Sequence, residues 1–244
     1  MARIDLKSSS GFPVIYDGEE LLVKDFSFKS KKDITIDDIR TQLLNKELNC
    51  PDIFYTKYKE LDNNNIYKDK GIKVNFYTLQ PNLAGIEYVK TRATKSEKYP
   101  RIFDFVYGGA TVLLQKYSGV RKNRVIKINV KKKDKIIVPS GYDIVVVNTR
   151  QNFNLVFVEY HNVNAKPKVA LDERNGLAYY IIRKNAKQET VRNPSYKMIS
   201  KLEKIDWDSV RNEYGITPKT PIIKQIMRKY EKFDWLFKED SVQI

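Results

Sequence analysis

The stretch Pro139-Ser140-Gly141-Tyr142-Asp143-Ile144-Val145-Val146-Val147-Asn148 decides the fold. Proline presets one backbone angle and glycine accepts the left-handed one, so Pro139-Ser140-Gly141 reads as a tight turn. The branched apolar run behind it reads as a strand. Outward from it, similar short runs recur at 71–79, 103–106, 111–115, 125–130, 135–138 and 155–160, with turn residues at Gly108-Gly109 and Ser118-Gly119. Regular short strands of this kind predict a mainly β sandwich or barrel. One helix is expected earlier, where Thr35 or Asp37 can cap a segment carrying Ile39, Leu43 and Leu44 at helical spacing.

The chain has 244 residues, 41% of them hydrophobic, which suits one packed domain of ordinary size with an appendage. No apolar stretch approaches the roughly 20 residues that a membrane-spanning helix needs. The opening MARIDLKSSS lacks the apolar core of a secretory leader. A single cysteine, Cys50, excludes an internal disulfide framework and fits a reducing, cytoplasmic setting.

Lys and Arg outnumber Asp and Glu by 45 to 30, a net charge of +15. Such an excess attracts polyanions, whereas a chain enriched in balanced ion-pair networks would not carry it. Residues 201–244 hold nine basic and eight acidic residues and both tryptophans, so almost all the surplus lies before them. That break, with the turn at Asn193-Pro194-Ser195, divides the chain into a body, residues 1–197, and a helical C-terminal extension, residues 198–244. In the extension, Asp206 or Asp208 can cap a short helix ending at Gly215. Thr220-Pro221 then offers an N-cap and a first-turn proline. Ile223, Ile226, Met227, Tyr230, Phe233 and Phe237 recur along one helical face behind it. That face is expected to pack on the body; the alternative is that Ile223, Met227, Tyr230, Phe233 and Phe237 grip a partner.

Two groups of cations are candidates for a phosphate-backbone footprint. The first is Arg121, Lys122, Arg124, Lys127, Lys131, Lys132, Lys133 and Lys135, within a segment from Lys116 whose one acid is Asp134. The second is Arg92, Lys95, Lys98 and Arg101, just after Lys90. In the strand over 124–130, Ile126, Ile128 and Val130 are expected to face inward and Val125, Lys127 and Asn129 outward. Tyr99, Tyr107, Tyr117 and Tyr142 could stack on bases, but positions in the barrel core or a dimer interface suit them better.

Two segments resemble a known family. Pro139 through Asn148 is similar to the second cupin motif, P-x-G-x-x-H-x-x-x-N, with Ile144 in the place of the histidine. More specifically, the chain resembles the archaeal cupin-type glucose-6-phosphate isomerases, whose pattern runs T-x-G-H-x-H, then a glutamate, then E-x-Y. Here Thr91-Arg92-Ala93-Thr94-Lys95-Ser96 and Phe103-Asp104-Phe105 stand at the matching distance. FPVIYD from Phe12, LQPNLAG over 79–85 and the segment from Asp172 to Tyr196 are similar to other strands of that family, so the resemblance covers roughly 11–197. It implies a single cupin jelly-roll barrel and, by analogy, a homodimer.

Carried over residue by residue, the resemblance also implies a lost centre. Thr94 and Ser96 stand for two metal histidines, Phe103 for the metal carboxylate, Ile144 for the third histidine and Phe105 for an active-site tyrosine. Only Thr91, matching a threonine that contacts the substrate phosphate, survives. Isomerisation needs a base and a metal or donor, and these residues supply neither, so no metal and no cofactor are expected. Asp104 and Asp143 are expected on the strand faces opposite to Phe103 and Ile144. His161, the one histidine, reads as a surface or turn residue. The expected function is that of a non-catalytic cupin binding nucleic acid or a ribonucleoprotein such as a ribosome, with RNA favoured over DNA. The alternatives are a sugar-phosphate-binding pseudoenzyme or residual isomerase using Thr91, and a scaffold assembling through the extension.

Overall fold

The computed structural model describes residues 3–117, 123–198 and 201–244, so Arg121 and Lys122 lie outside the described residues. Every strand expected from the sequence forms, and the protein is mainly β. One six-stranded antiparallel sheet runs in the order Lys135–Val138, Arg101–Tyr107, Leu155–Asn162, Ile72–Leu79, Ile53–Asp62, Ser27–Thr35. A second runs Lys168–Val169, Thr94–Lys95, Asp143–Val147, Gly109–Tyr117, Asn123–Lys131, Leu202–Glu203, the last pair parallel. The two sheets face each other as a jelly-roll sandwich. No ladder among the described residues closes them into a continuous barrel.

Strand alternation explains the layers. Ala110, Val112, Leu114, Ile126, Ile128, Val130, Ile144 and Val146 share a core with Phe103, Phe105 and Phe157 of the first sheet. Their neighbours Leu113, Val125, Val145 and Val147 join a second cluster with Tyr88, Tyr179 and Ile181. Those last three belong to a third, four-stranded sheet that includes Glu87–Tyr88 and Tyr179–Lys184. It covers the outer face of the second sheet. Val125, expected outward, is therefore fully buried. A strand covered on both faces needs no polar alternation, which accounts for the unbroken apolar run from Ile144 to Val147. Among the tyrosines expected in the core, Tyr142 is buried and Tyr99, Tyr107 and Tyr117 are half-buried.

Near the N-terminus Thr35 caps a short helix, Ile36–Ile39, in a reciprocal box with Asp38, as expected from the sequence, but Leu43 and Leu44 are not on it: a 3₁₀ turn, Arg40–Gln42, follows and Leu43 is extended. Both ends of the chain cover the outer face of the first sheet. Phe12 lies 5.6 Å from Phe76 and stacks on Tyr160. The extension reaches the same face: Trp207, Val210, Ile222, Ile223, Ile226, Phe233 and Leu236 all belong to the main core. Gly11 marks where the two segments meet. It has φ +83°, and a Cβ there would stand 2.7 Å from a methyl of Ile223.

The extension is helical, but not as one helix. Asp206 caps the first helix, Trp207–Glu213, through two backbone amides. The second, Ile222–Arg228, starts after Pro221 and breaks at Lys229, whose φ of −143° is not helical. A 3₁₀ segment, Tyr230–Phe237, follows. The residues offered as a partner-gripping face are mostly spent within the chain. Ile223 and Phe233 are buried, and Tyr230 stacks on Phe237 while its hydroxyl donates to the Lys70 carbonyl. Met227, 40% exposed, is the one left outward. No helix among the described residues is long and apolar enough to cross a membrane.

Candidate functional site

The inner faces of the two main sheets meet around a buried charge cluster. Cross-strand pairing puts Arg101 opposite His161, Phe103 opposite Glu159 and Phe105 opposite Phe157, all on one face. The adjoining strand adds Asn75 and Tyr77, and the next adds Lys57. Glu159 is the hub. Its Oε1 accepts from Arg101 Nη1 at 3.0 Å. Its Oε2 accepts from the Tyr77 hydroxyl at 2.6 Å and from Asn75 Nδ2 at 3.1 Å, with Lys57 Nζ 3.7 Å away. Arg101 also donates to the hydroxyl and carbonyl of Thr94, tying the cluster to the second sheet.

His161 is buried at 4% exposure, not at the surface. Its Nδ1 faces the Asn162 carbonyl at 2.9 Å, which can only accept, so this nitrogen carries the proton. Nε2 then accepts from Asn75 Nδ2 at 3.2 Å. Burial lowers the imidazole's affinity for a second proton, against the pull of Glu159, so the ring is neutral at pH 7. Burial also lowers the pKa of Lys57. For Glu159 burial acts upward, but Lys57 and Arg101, together with His161 and the Tyr77 hydrogen bond, hold the carboxyl well below the usual range.

This cluster occupies the place where the sequence implies a lost metal centre. Thr94 pairs with Ile144 across the ladder, and Phe103 and Phe105 pack 5.7 Å from Phe157, itself stacked on Tyr77. Aromatic rings thus fill the interior. Glu159 and His161 are the nearby groups with ligand chemistry, but the carboxylate is bound by Arg101 and both ring nitrogens are engaged. No grouping of three or more His, Cys, Asp or Glu among the described residues could hold a metal. The residues present do not fit the metal that the resemblance implies. Thr91, the surviving phosphate-contact position, is buried, and its hydroxyl accepts the backbone amide of Val146 at 3.0 Å.

Two cations expected on a nucleic-acid face lie inside instead. Arg101 is 1% exposed for the reason just given, and Lys135 is 2% exposed. Lys135 Nζ sits 3.3 Å from Asp104 and donates to the carbonyls of Lys133 and Pro218. Asp104 does point away from the interior, yet it is fully buried because the extension covers that face. Its other oxygen accepts the amide of Ile222, fastening the second helix of the extension. Lys90 is also internal, ion-paired to Glu87 and lying 4.8 Å over the Tyr180 ring.

Burial lifts the Asp104 carboxyl to about 6 despite Lys135. A folded-state pKa above the unfolded value stabilises most below the unfolded pKa, and the benefit disappears as pH rises through the folded value. Asp104→Asn is therefore expected to gain stability relative to the parent between pH 4 and 7. The gain is on the order of 2–3 kcal/mol, since one pKa unit corresponds to about 1.4 kcal/mol. Urea melts at several pH values check this; a difference that does not change with pH would show that folding leaves the Asp104 carboxyl's proton affinity unaltered. Glu159 runs the other way, its stabilisation being present above the ordinary glutamate range and lost as pH falls.

The remaining candidate cations divide into paired and free. Arg92 pairs with Asp172, Lys95 with Glu97, Lys98 with Glu239 and Arg124 with Glu203, at 2.8–3.2 Å. Lys131, Lys132 and Lys133 are exposed and Lys127 is half-buried; none of the four has an ion-pair partner among the described residues. Lys127 lies in the seam between the second and third sheets, donating to the Thr190 hydroxyl at 2.8 Å. Lys204 stands close enough to depress its pKa further, after burial. Farther along the seam, Gln188 donates to Thr111, and Arg150 and Arg183 line one cavity. Sequence reading missed Lys204, Arg150 and Arg183, because they lie far apart in the chain and outside any dense run of charge.

The family model described as Glucose-6-phosphate isomerase (GPI) matches residues 31–198. No curated protein matches the chain. Among solved structures, vicilin from hazelnut, Corylus avellana, is 16% identical with a TM-score of 0.39, covering 52% of this chain and 35% of that one. A cupin 2 conserved barrel domain protein from Rhodopseudomonas palustris is 11% identical with a TM-score of 0.34, covering 47% and 66%. Recombinant oxalate oxidase in complex with glycolate is 11% identical with a TM-score of 0.35, covering 57% and 54%. In each case the chain spans less than two thirds of the other protein.

Proposed function

This chain belongs to the glucose-6-phosphate isomerase (GPI) family, in its cupin-type form, and from that membership we propose that it keeps the fold without the chemistry and binds a polyanion, RNA before DNA. The binding face in this reading is the seam carrying Lys127, Lys131, Lys204, Arg150 and Arg183, continued by Lys132 and Lys133. One observation carries the proposal: the charges inside the sandwich satisfy one another, while these seam cations have no ion pair among the described residues. Arg101, Lys57 and Tyr77 are all engaged by Glu159, and aromatic rings fill the space beside them, so the interior has no room for a sugar phosphate. Unpaired cations along one face attract a phosphate backbone by releasing its counterions. The paired cations Arg92, Lys95, Lys98 and Arg124 add to the field but hold their own acids. A cytoplasmic setting and a ribonucleoprotein partner, such as a ribosome, follow from the same reading, as does a homodimer by family analogy.

Titrating a labelled single-stranded RNA with the protein at several salt concentrations tests it. Affinity is expected to fall steeply between about 50 and 200 mM salt, with a log–log slope of about −0.7 per phosphate neutralised. Replacing Lys127, Lys131 and Lys204 together by alanine is expected to flatten that slope by about 2. Affinity that ignores salt would remove the proposal. Turnover of fructose 6-phosphate by the purified protein with added divalent metal would remove its non-catalytic part.

A further inference from the structure

We propose that the cavity between Arg150 and Arg183 is a phosphate-binding site. It lies where the seam between the second and third sheets ends, has a volume of about 210 Å³, and is lined by Asn82, Tyr88, Arg150, Gln151 and Arg183 with two apolar neighbours. No carboxylate is among its lining residues. Neither arginine has an ion-pair partner among the described residues. Two guanidinium groups facing one small space repel each other until an anion stands between them. Their planar forks match a phosphate, and the amides of Asn82 and Gln151 can donate to its remaining oxygens.

The backbone beneath both arginines is fixed. Asn148 is fully buried, donates to the carbonyls of Leu79 and Phe153 at 3.1 Å, and accepts the Arg150 amide at 3.2 Å. Gly109 leaves room for the Arg150 side chain, because a Cβ there would lie 3.2 Å from Arg150 Nε. Arg183 sits in a paired strand, and its amide donates to the Ile86 carbonyl at 2.7 Å. Charged donors on a backbone tied down in this way lose less freedom when they close on an anion.

The site is independent of Thr91 and of the inner cluster. Its phosphate can come from a nucleic-acid backbone or from a free phosphorylated metabolite. The test uses the whole 244-residue chain and inorganic phosphate, followed by calorimetry. The parent protein is expected to bind phosphate, and Arg150→Ala and Arg183→Ala are each expected to weaken it roughly ten- to hundred-fold. Arg150→Lys, which keeps the charge but not the fork, is expected to fall between. Circular dichroism confirms that each variant is folded, and Arg150→Lys keeps the test valid if an alanine variant is not. Absence of phosphate binding by the parent, or binding that no arginine variant weakens, overturns the site. Competition by fructose 6-phosphate and by a 5′-phosphorylated RNA identifies the source, and either competitor supports the site. If RNA binding is salt-insensitive while phosphate binding still needs both arginines, the polyanion reading fails and this site stands.

Discussion

Deleting residues 204–244 is expected to leave a chain that cannot hold its fold. Nine buried apolar side chains go with that segment: Trp207, Val210, Ile216, Ile222, Ile223, Ile226, Phe233, Leu236 and Val242. At about 1.5–3 kcal/mol for each fully buried large side chain, the loss exceeds 10 kcal/mol, comparable with the whole stability of an ordinary domain. The cost also falls on what remains. Asp104 and Lys135 lose the Ile222 amide and the Pro218 carbonyl that help solvate them, and Tyr160 and Ile102 lose their cover. The truncated protein is expected in the insoluble fraction, or soluble with dye-binding apolar surface and no cooperative urea transition. A soluble fragment with a urea midpoint near that of the full chain would show that the extension is an independent appendage. The milder substitution Ile223→Ala, at the contact with Gly11, is expected to cost about 2–5 kcal/mol.

The second large effect concerns the inner cluster. Glu159→Leu removes the carboxylate ion-paired to Arg101 and Lys57, leaving two cations buried or half-buried without it. Breaking a buried pair from one side costs about 3–5 kcal/mol, because the surviving charge keeps its desolvation penalty. For a chain of this length that corresponds to a fall in Tm of roughly 6–20 °C. The triple change Lys57→Met, Arg101→Met, Glu159→Leu is expected to recover most of the loss, since replacing a whole buried ionic group by apolar residues is often neutral or stabilising. Thermal and urea unfolding of the four proteins, with Arg101→Met as the fourth, decide the matter. If Glu159→Leu melts with the parent, the carboxylate contributes nothing to stability. A triple variant as weak as Glu159→Leu would mean that packing, not unpaired charge, is the source of the loss.

Much of the fold could be read from the sequence because its signals are local. Pro139-Ser140-Gly141 makes its turn, Ile126, Ile128 and Val130 face inward, and Asp206 caps its helix. Each depends on a few neighbouring residues. Partners and cover do not. Arg101 and Lys135 look like surface cations until Glu159, 58 residues from Arg101, and Asp104 are brought alongside. His161 looks exposed until Asn75 reaches it from another strand. One signal was available: Glu159 and His161 flank Tyr160 at the end of a strongly apolar strand, and polar groups in such a place tend to have partners. Nothing near Lys229 announces the break that divides the last helix. The seam cations were the least legible, since Lys127, Arg150, Arg183 and Lys204 come from four separate segments.

The clasp at Gly11 and Ile223 has a consequence for how the protein is made. The outer face of the first sheet, carrying Phe76, Ile102 and Tyr160, is finished by Trp207 to Leu236, which follow all of that sheet's strands in the sequence. At about 5–20 residues per second, a stretch as long as residues 204–244 takes several seconds to synthesise. During that interval the sheet can form its ladders while its outer face stays bare. The nascent chain is therefore expected to expose that apolar face until the extension docks, and its yield in a cell to depend on chaperone capacity more than its final stability would suggest.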